Sequence, residues 1–293
     1  MRSLAYVTFT LFCAILFLRF SLCSVVSTGN FSWDFYITWS PDHVTTSPDS
    51  HLRTLKLDNS SGSGFGSNQR FLFGQFDMNI KLVPGRSAGT VVAYYLQSDD
   101  GPARDEIDFE FLGNVEGQPY AVQTNVFTNG NGYREERLTL WFDPTHDFHT
   151  YSIHWNIHQL VLLVDNIPIR VFRNHADEGV EYPNMKPMQL LASIWNGENW
   201  ATRGGQDKID WTKAPFIASY NNYELDACIS NDTKSCSAAS DTNWWNKHKH
   251  KTLSEWEKAM YEWVREHFMS YDYCQDTKRF KHLMPKECSL PNY

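Results

Sequence analysis

From about residue 33 to residue 220 the chain runs in short stretches where apolar and polar side chains alternate, broken by glycine and small polar residues. Phe76, Met78, Ile80 and Leu82 take every second place, Gly85 and Gly89 interrupt the next connection, and Thr90–Leu96 begins another run. Residues 120–127, 136–142, 149–155, 160–164 and 167–173 repeat the habit. A period of two sends successive side chains to opposite faces, so each stretch reads as a β-strand. Asp165-Asn166, between two apolar runs, reads as a tight hairpin turn. Strands that follow one another through turns, without crossover helices, predict an all-β sandwich of two packed antiparallel sheets, one curved enough to hold a polymer.

The period changes near the end. Between about 252 and 269, Trp256, Ala259, Met260, Trp263, Val264, His267 and Phe268 recur at helical spacing, with Thr252 and Glu255 placed as a capping box. This helix is expected to pack on the sandwich as part of a C-terminal extension; docking of a partner protein is the other use of such a face. The expected organisation is a leader over residues 1–24, a β-sandwich domain over 25–220 and the extension over 221–293.

Composition narrows the class. The 293 residues are 15% aromatic with a net charge of -8, which suits a large β domain and makes nucleic acid an unlikely partner. The basic cluster Lys247, His248, Lys249, His250 and Lys251 reads as a solvated approach to the helix. Arg2, the apolar run Leu4–Leu18 and the small residues near Ser24 form a signal-peptide pattern, and no later run is long enough to span a membrane. Loss of the leader removes Cys13 and Cys23. Cys228, Cys236, Cys274 and Cys288 remain, and in an oxidising compartment the simplest of three connectivities is sequential, Cys228–Cys236 and Cys274–Cys288. No metal site is expected: the cysteine spacing is not that of zinc, and His146, His149, His154 and His158 lie in strand and turn. Asn30, Asn59 and Asn231 begin glycosylation sequons.

The chemistry concentrates in Asp105-Glu106-Ile107-Asp108-Phe109-Glu110-Phe111, where three acids alternate with large apolar residues. On a strand, Glu106, Asp108 and Glu110 leave one face while Ile107, Phe109 and Phe111 enter the core. Retaining cleavage of a glycosidic bond needs an ionised carboxylate to attack the anomeric carbon and a protonated one to release the leaving oxygen. Glu106 is assigned as nucleophile and Glu110 as acid/base. Asp108 is expected to hydrogen-bond the nucleophile and, by repulsion, to help keep Glu110 protonated. Cα atoms four residues apart on an ideal strand are about 13 Å apart, so the two glutamates must converge. Two other readings are a calcium-binding or surface acidic strand and a nonenzymatic glucan-binding sandwich.

The segment Asp105–Gly113 resembles the catalytic signature of plant xyloglucan endotransglucosylase/hydrolases, which are glycoside hydrolase family 16 jelly rolls. The likeness extends through Ser61–Phe65, Leu82–Gly85, Ser87–Val91, Trp141–Pro144, Trp200–Gly205 and the four late cysteines. It implies a concanavalin-like jelly roll and a secreted enzyme of the plant cell wall and apoplast. Such an enzyme cuts the β-1,4-glucan backbone of xyloglucan and passes the fragment to a xyloglucan acceptor, without a cofactor. It implies the same roles for Glu106, Asp108 and Glu110, and it places Gln123, Asn125, Glu135, Arg137, Trp195, Trp200 and Gly205 along the sugar cleft. Arg137 has a second reading, as a surface partner of Glu135. Of Tyr94 and Tyr95, strand parity sends at least one to the core and leaves the other as a sugar platform. Asn114-Val115-Glu116 departs from the family by lacking a sequon after the acids. The length of the His175–Pro187 segment resembles predominantly transferring members, which favours transfer; hydrolysis and transfer with another β-glucan are the alternatives.

Overall fold

A computed structural model describes residues 26–229, 236–238, 240, 243–281 and 283–293. The leader, with Cys13 and Cys23, and the Asn231 sequon lie outside the described residues. Among the described residues there are fourteen strands: β1 (Phe35–Trp39), β2 (Val44–Thr46), β3 (Leu52–Leu57), β4 (Ser63–Lys81), β5 (Thr90–Gln97), β6 (Glu106–Leu112), β7 (Ala121–Phe127), β8 (Glu136–Thr139), β9 (His149–Trp155), β10 (Gln159–Val164), β11 (Ile167–Arg173), β12 (Met188–Asn196), β13 (Phe216–Ile229) and β14 (Met269–Asp272).

All pairings are antiparallel, and the long β4 is shared between two sheets. Its first part pairs with β1 and β12, and the order continues β12-β5-β6-β7-β8-β14. Its second part pairs with β9 and β13, giving an outer sheet β2-β3-β13-β4-β9-β10-β11. Between the parts, Phe73 has φ of 68° and Gly74 of 140°. A Cβ on Gly74 would lie 2.4 Å from Ala227 Cα, so only glycine lets β4 bend there with β13 alongside. At the expected hairpin, Asp165 and Asn166 both have positive φ (48° and 65°) and Val164 pairs with Ile167, the geometry of a two-residue type I′ turn.

The core lies between the sheets. Phe76, Met78 and Ile80 from β4, Ile107, Phe109 and Phe111 from β6, and Tyr151, Ile153 and Trp155 from β9 are fully buried there. Phe109 stacks on Phe111 at 5.9 Å, and Tyr151 of the opposite sheet meets the Phe111 ring edge-on at 4.6 Å. Apolar packing on the back of β6 therefore fixes which way its acids face. The run at 136–142 forms strand only to Thr139: Trp141 and Phe142 leave the sheet, Trp141 to meet Trp263 at 5.5 Å and Phe142 to stack on His149 at 3.6 Å.

The extension is tied into the sandwich. β14 pairs with β8 and prolongs the sheet that bears the acids. The disulfides are Cys228–Cys236 and Cys274–Cys288, the sequential pairing expected from separation. The helix runs Glu255–His267, two details differing from expectation. Its capping box is Ser254 with Glu257, because Ser254 Oγ accepts from Glu257 N and the Glu257 carboxylate accepts from Ser254 N; Thr252 lies outside the helix. Its buried face is set by Tyr261 and Val264, whereas Trp256, Ala259 and His267 are exposed. No helix among the described residues is long and apolar enough to cross a membrane.

Candidate active site

The antiparallel register decides what stands beside each acid. Glu106, Asp108 and Glu110 lie opposite Gln97, Tyr95 and Ala93 on β5, and opposite Phe127, Asn125 and Gln123 on β7. Because these positions share parity, they form one face of the sheet, and their neighbours Ile107, Phe109 and Phe111 point into the sandwich. Tyr94 is in the core and Tyr95 is on the acid face.

Glu106 is nearly buried and is held by two donors. Its Oε2 accepts from Arg104 Nε at 2.7 Å and from Gln97 Nε2. The Arg104 guanidinium carbon lies 5.0 Å from the centre of the Phe127 ring, a cation–π contact with the strand neighbour of Glu106. Asp108 is fully enclosed and hydrogen-bonded to Glu106; burial first, then the charges of Glu106 and Glu110, push its carboxyl well above the usual carboxylate range. Burial likewise raises Glu110, against a lowering bond from Gln123 Nε2 at 2.7 Å. Repulsion from Glu106 and Glu135 also raises Glu110, and the mutual repulsion of Asp108 and Glu110 falls on Asp108. Desolvation and the neighbouring acids also push Tyr95 up to about 12.

The remaining expected cleft residues are distributed as follows. Gln123 accepts from Arg137 at 3.2 and 2.6 Å, so Arg137, Gln123 and Glu110 form a relay across β8, β7 and β6. The alternative pairing of Arg137 with Glu135 does not occur. Glu135, just before β8, instead pairs with Arg279 of the extension at 2.6 and 3.1 Å, while Arg137 is taken by Gln123 on the neighbouring strand. Arg279 also donates to Tyr271 Oη at 3.0 Å. Asn125 Oδ1 accepts from Val126 N and Arg134 N at 2.9 and 3.1 Å. Trp195 and Trp200 pack with ring centres 5.9 Å apart over Val91 and Leu112, beyond the Glu110 end of the acid row. Gly205 has φ of 86°, and a Cβ there would lie 2.2 Å from Asn199 O, so it shapes the turn carrying Trp200.

Several residues of this face were not found from sequence. Gln97 and Arg104 meet Glu106 through register and a loop; Tyr271 and Arg279 arrive from the extension. At the β1 edge, Trp39 lies over Gly64, where a Cβ would be 2.6 Å from its Nε1, and Tyr36 donates to Gln189 Oε1 at 3.2 Å. Lys186, in the segment before β12, bonds Asn129 Oδ1 at 2.8 Å and Ala103 O, bracing the loop that leads into Glu106. No group of metal-ligating side chains was found among the described residues.

A description of glycosyl hydrolases family 16 matches residues 31–213, and one of the xyloglucan endo-transglycosylase C-terminus matches 239–288. The chain belongs to glycosyl hydrolase family 16. Among its relatives, the probable xyloglucan endotransglucosylase/hydrolase protein 10 of Arabidopsis thaliana is 60% identical over 279 residues, covering 95% of this chain and 93% of that protein. Xyloglucan endotransglucosylase protein 1 of Diospyros kaki is 49% identical over 260 residues, covering 89% and 88%. Family 16 architecture recurs in solved structures of the Bacillus licheniformis β-glucanase and the apo Crh5 transglycosylase. Each is 24% identical, with TM-scores of 0.53 and 0.55, covering 70% and 73% of this chain and 91% and 86% of those chains. These two establish the fold.

Proposed function

We propose that this family 16 enzyme is a retaining endo-transglycosylase that cleaves the β-1,4-glucan backbone of xyloglucan and transfers the fragment to a xyloglucan acceptor. The observation that carries the chemistry is the contrast between two glutamates on one strand. Glu106 receives donors from Arg104 and Gln97, which suits an ionised nucleophile, whereas burial raises Glu110, which suits a proton donor. Glu106 attacks the anomeric carbon as the bond to the leaving oxygen breaks, and the Glu110 proton goes to that oxygen. The resulting glycosyl-enzyme is opened when Glu110 takes the proton of an acceptor hydroxyl, whose oxygen displaces Glu106. One glycosidic bond is lost and one formed, and Glu110 ends protonated as it began. Asp108 acts as a neutral hydrogen-bond donor to Glu106.

The xyloglucan assignment rests on the relatives' names, and the open face from β1 to β14 supports a polymeric substrate. Gln123, Arg137, Trp195 and Trp200, with Asn125, Glu135 and Gly205 shaping their surroundings, serve as sugar contacts: indole faces cover pyranose rings and the amide and guanidinium bond hydroxyls. The leader pattern and both disulfides support secretion to the cell wall. The test is incubation with xyloglucan and a labelled xyloglucan oligosaccharide while following labelled polymer and new reducing ends. Labelled polymer should dominate at high acceptor concentration, and Glu106→Gln should abolish it. Reducing ends without labelled polymer would overturn transfer, and product only with another glucan would overturn the substrate.

A further inference from the structure

On the opposite side of the sandwich from the acids, the extension closes over the outer sheet without filling the space beneath it. The cavity has a volume of about 350 Å³ and is walled by Gln159, Val161 and Leu163 of β10, by Trp244 and His250, and by Trp256 of the helix. That size is at the lower end for ligand clefts. None of these residues takes part in the reaction described above.

Besides Ser152 Oγ, which lies beside Asp77, two polar atoms in the wall are buried and have no partner: Gln159 Oε1, on a residue only 3% exposed, and His250 Nε2. Gln159 Nε2 is already engaged, donating to His250 O at 3.3 Å, so the remaining oxygen only accepts. A buried polar atom without a partner costs about 1–3 kcal/mol; a hydroxyl-bearing ligand, which both donates and accepts, would relieve both. The rest of the wall mixes the apolar and aromatic side chains of Val161, Leu163, Leu253 and Trp244 with neutral polar groups, among them Gln75, Ser152 and Asn166. Trp256 is 55% exposed at the rim although it belongs to a helix whose other side is packed. Burial holds His154 and His250 neutral, at about 3 and about 4, and the Glu257 carboxylate is occupied by Ser254 N in the helix cap. Lys249 is exposed at the rim. The charges on the lining are therefore one cation, Lys249, and one carboxylate, Glu257, which make neither a cationic cluster for an anion nor a carboxylate set for a cation. The interior offers aromatic and aliphatic surface with neutral hydrogen-bonding atoms, the combination that fits a sugar ring.

We propose that this cavity is a second carbohydrate site that holds a neutral pyranose unit, with Trp256 as its rim platform and Gln159 and His250 as its hydroxyl contacts. The inference deepens the polysaccharide reading above and rests on it. Because the cavity lies on the outer sheet, a sugar bound there is separated from the acids by the sandwich core and is not the reacting one. It would anchor polymer whose scissile bond lies in the cleft.

The experiment uses the full chain carrying Glu106→Gln, so that polymer binds without turnover, with and without Trp256→Ala. A xyloglucan oligosaccharide should shift the side-chain nitrogen resonance of His250. Trp256→Ala should weaken retention in native gels containing xyloglucan about five-fold, as expected for loss of one ring contact. In the wild-type background the same substitution should leave transfer between short oligosaccharides unchanged. An unmoved His250 signal together with unaltered retention would overturn the site, leaving a cavity that holds water only. Turnover by the wild type separates the two readings. An active enzyme with a silent cavity overturns this inference alone. An enzyme inactive on xyloglucan, whose His250 still shifts with an unbranched cello-oligosaccharide, keeps the site and overturns the substrate.

Discussion

Replacing Gln123 with Leu separates two opposing influences on Glu110. The amide nitrogen of Gln123 donates to Glu110 at 2.7 Å and stabilises its ionised form, while its oxygen binds Arg137 at 2.6 Å. Leucine removes the donor, which raises the Glu110 pKa, and frees the Arg137 charge, which lowers it. The Gln123 bond outweighs the Arg137 charge among the influences on Glu110, so the rise wins. A bond to an ionised group contributes about 1.5–3 kcal/mol, and a pKa unit corresponds to about 1.4 kcal/mol. Allowing for screening at this partly open site, the net rise is about one unit. Cleavage needs Glu110 protonated, so activity is present below its pKa and lost as pH rises through it. The basic limb of kcat/KM, measured by transfer from pH 4 to 9, should therefore move to higher pH in Gln123→Leu by about one unit. The position of the limb reports the free enzyme and is unaffected by weaker sugar binding, which lowers only the height of the profile. A basic limb that stays in place or moves to lower pH would refute Glu110 as the proton donor or Gln123 as its regulator. The linkage for stability has the same sign. A carboxyl raised by folding favours the native state at low pH, and that contribution is lost as pH rises through the folded pKa.

Arg104→Met removes the 2.7 Å bond to Glu106 while keeping most of the side-chain length, and should lower kcat about ten-fold with little change in KM; steady-state transfer kinetics check this, and an unchanged kcat would count against a role in holding the nucleophile. Phe109→Ala empties the space beside Phe111, Tyr151 and Tyr94 and should cost about 3–5 kcal/mol, read by urea denaturation. Cys274→Ser with Cys288→Ser opens a link between residues 14 apart and should cost about 3 kcal/mol through the unfolded chain, read as a lower Tm. The loss should disappear when both proteins are compared under reducing conditions.

The alternation along Glu106–Leu112 was enough to place three acids on one face, because strand parity is a local property of the backbone and needs no partner. The same parity separated Tyr94 from Tyr95, and the Asp165-Asn166 turn was legible because few residues accept two successive positive φ angles. The separation of the late cysteines pointed to the pairing found. Where the sequence reading failed, the deciding contact came from a distant element. Ser254 rather than Thr252 caps the helix, and Trp256 is exposed, because docking of Tyr261 with Val161 of β10 and Val171 of β11 chose which part of an ambiguous apolar stripe was buried. Glu135 bonds Arg279, which is 144 residues away, and Arg137 bonds Gln123 on the neighbouring strand; their closeness in the chain, two positions apart, had suggested that the two charges met each other. The upward push on the Asp108 carboxyl comes first from burial among side chains of β6 and its sheet neighbours β5 and β7, so no count of charges along β6 could give it. The sequence by itself determined the strands, their faces and the identity of the acids, since these follow from backbone geometry and side-chain type. Only the tertiary structure decided which donors hold each acid, which carboxyls burial raises and where the extension leaves a cavity, since register, burial and docking are relations between segments that the chain brings together only on folding.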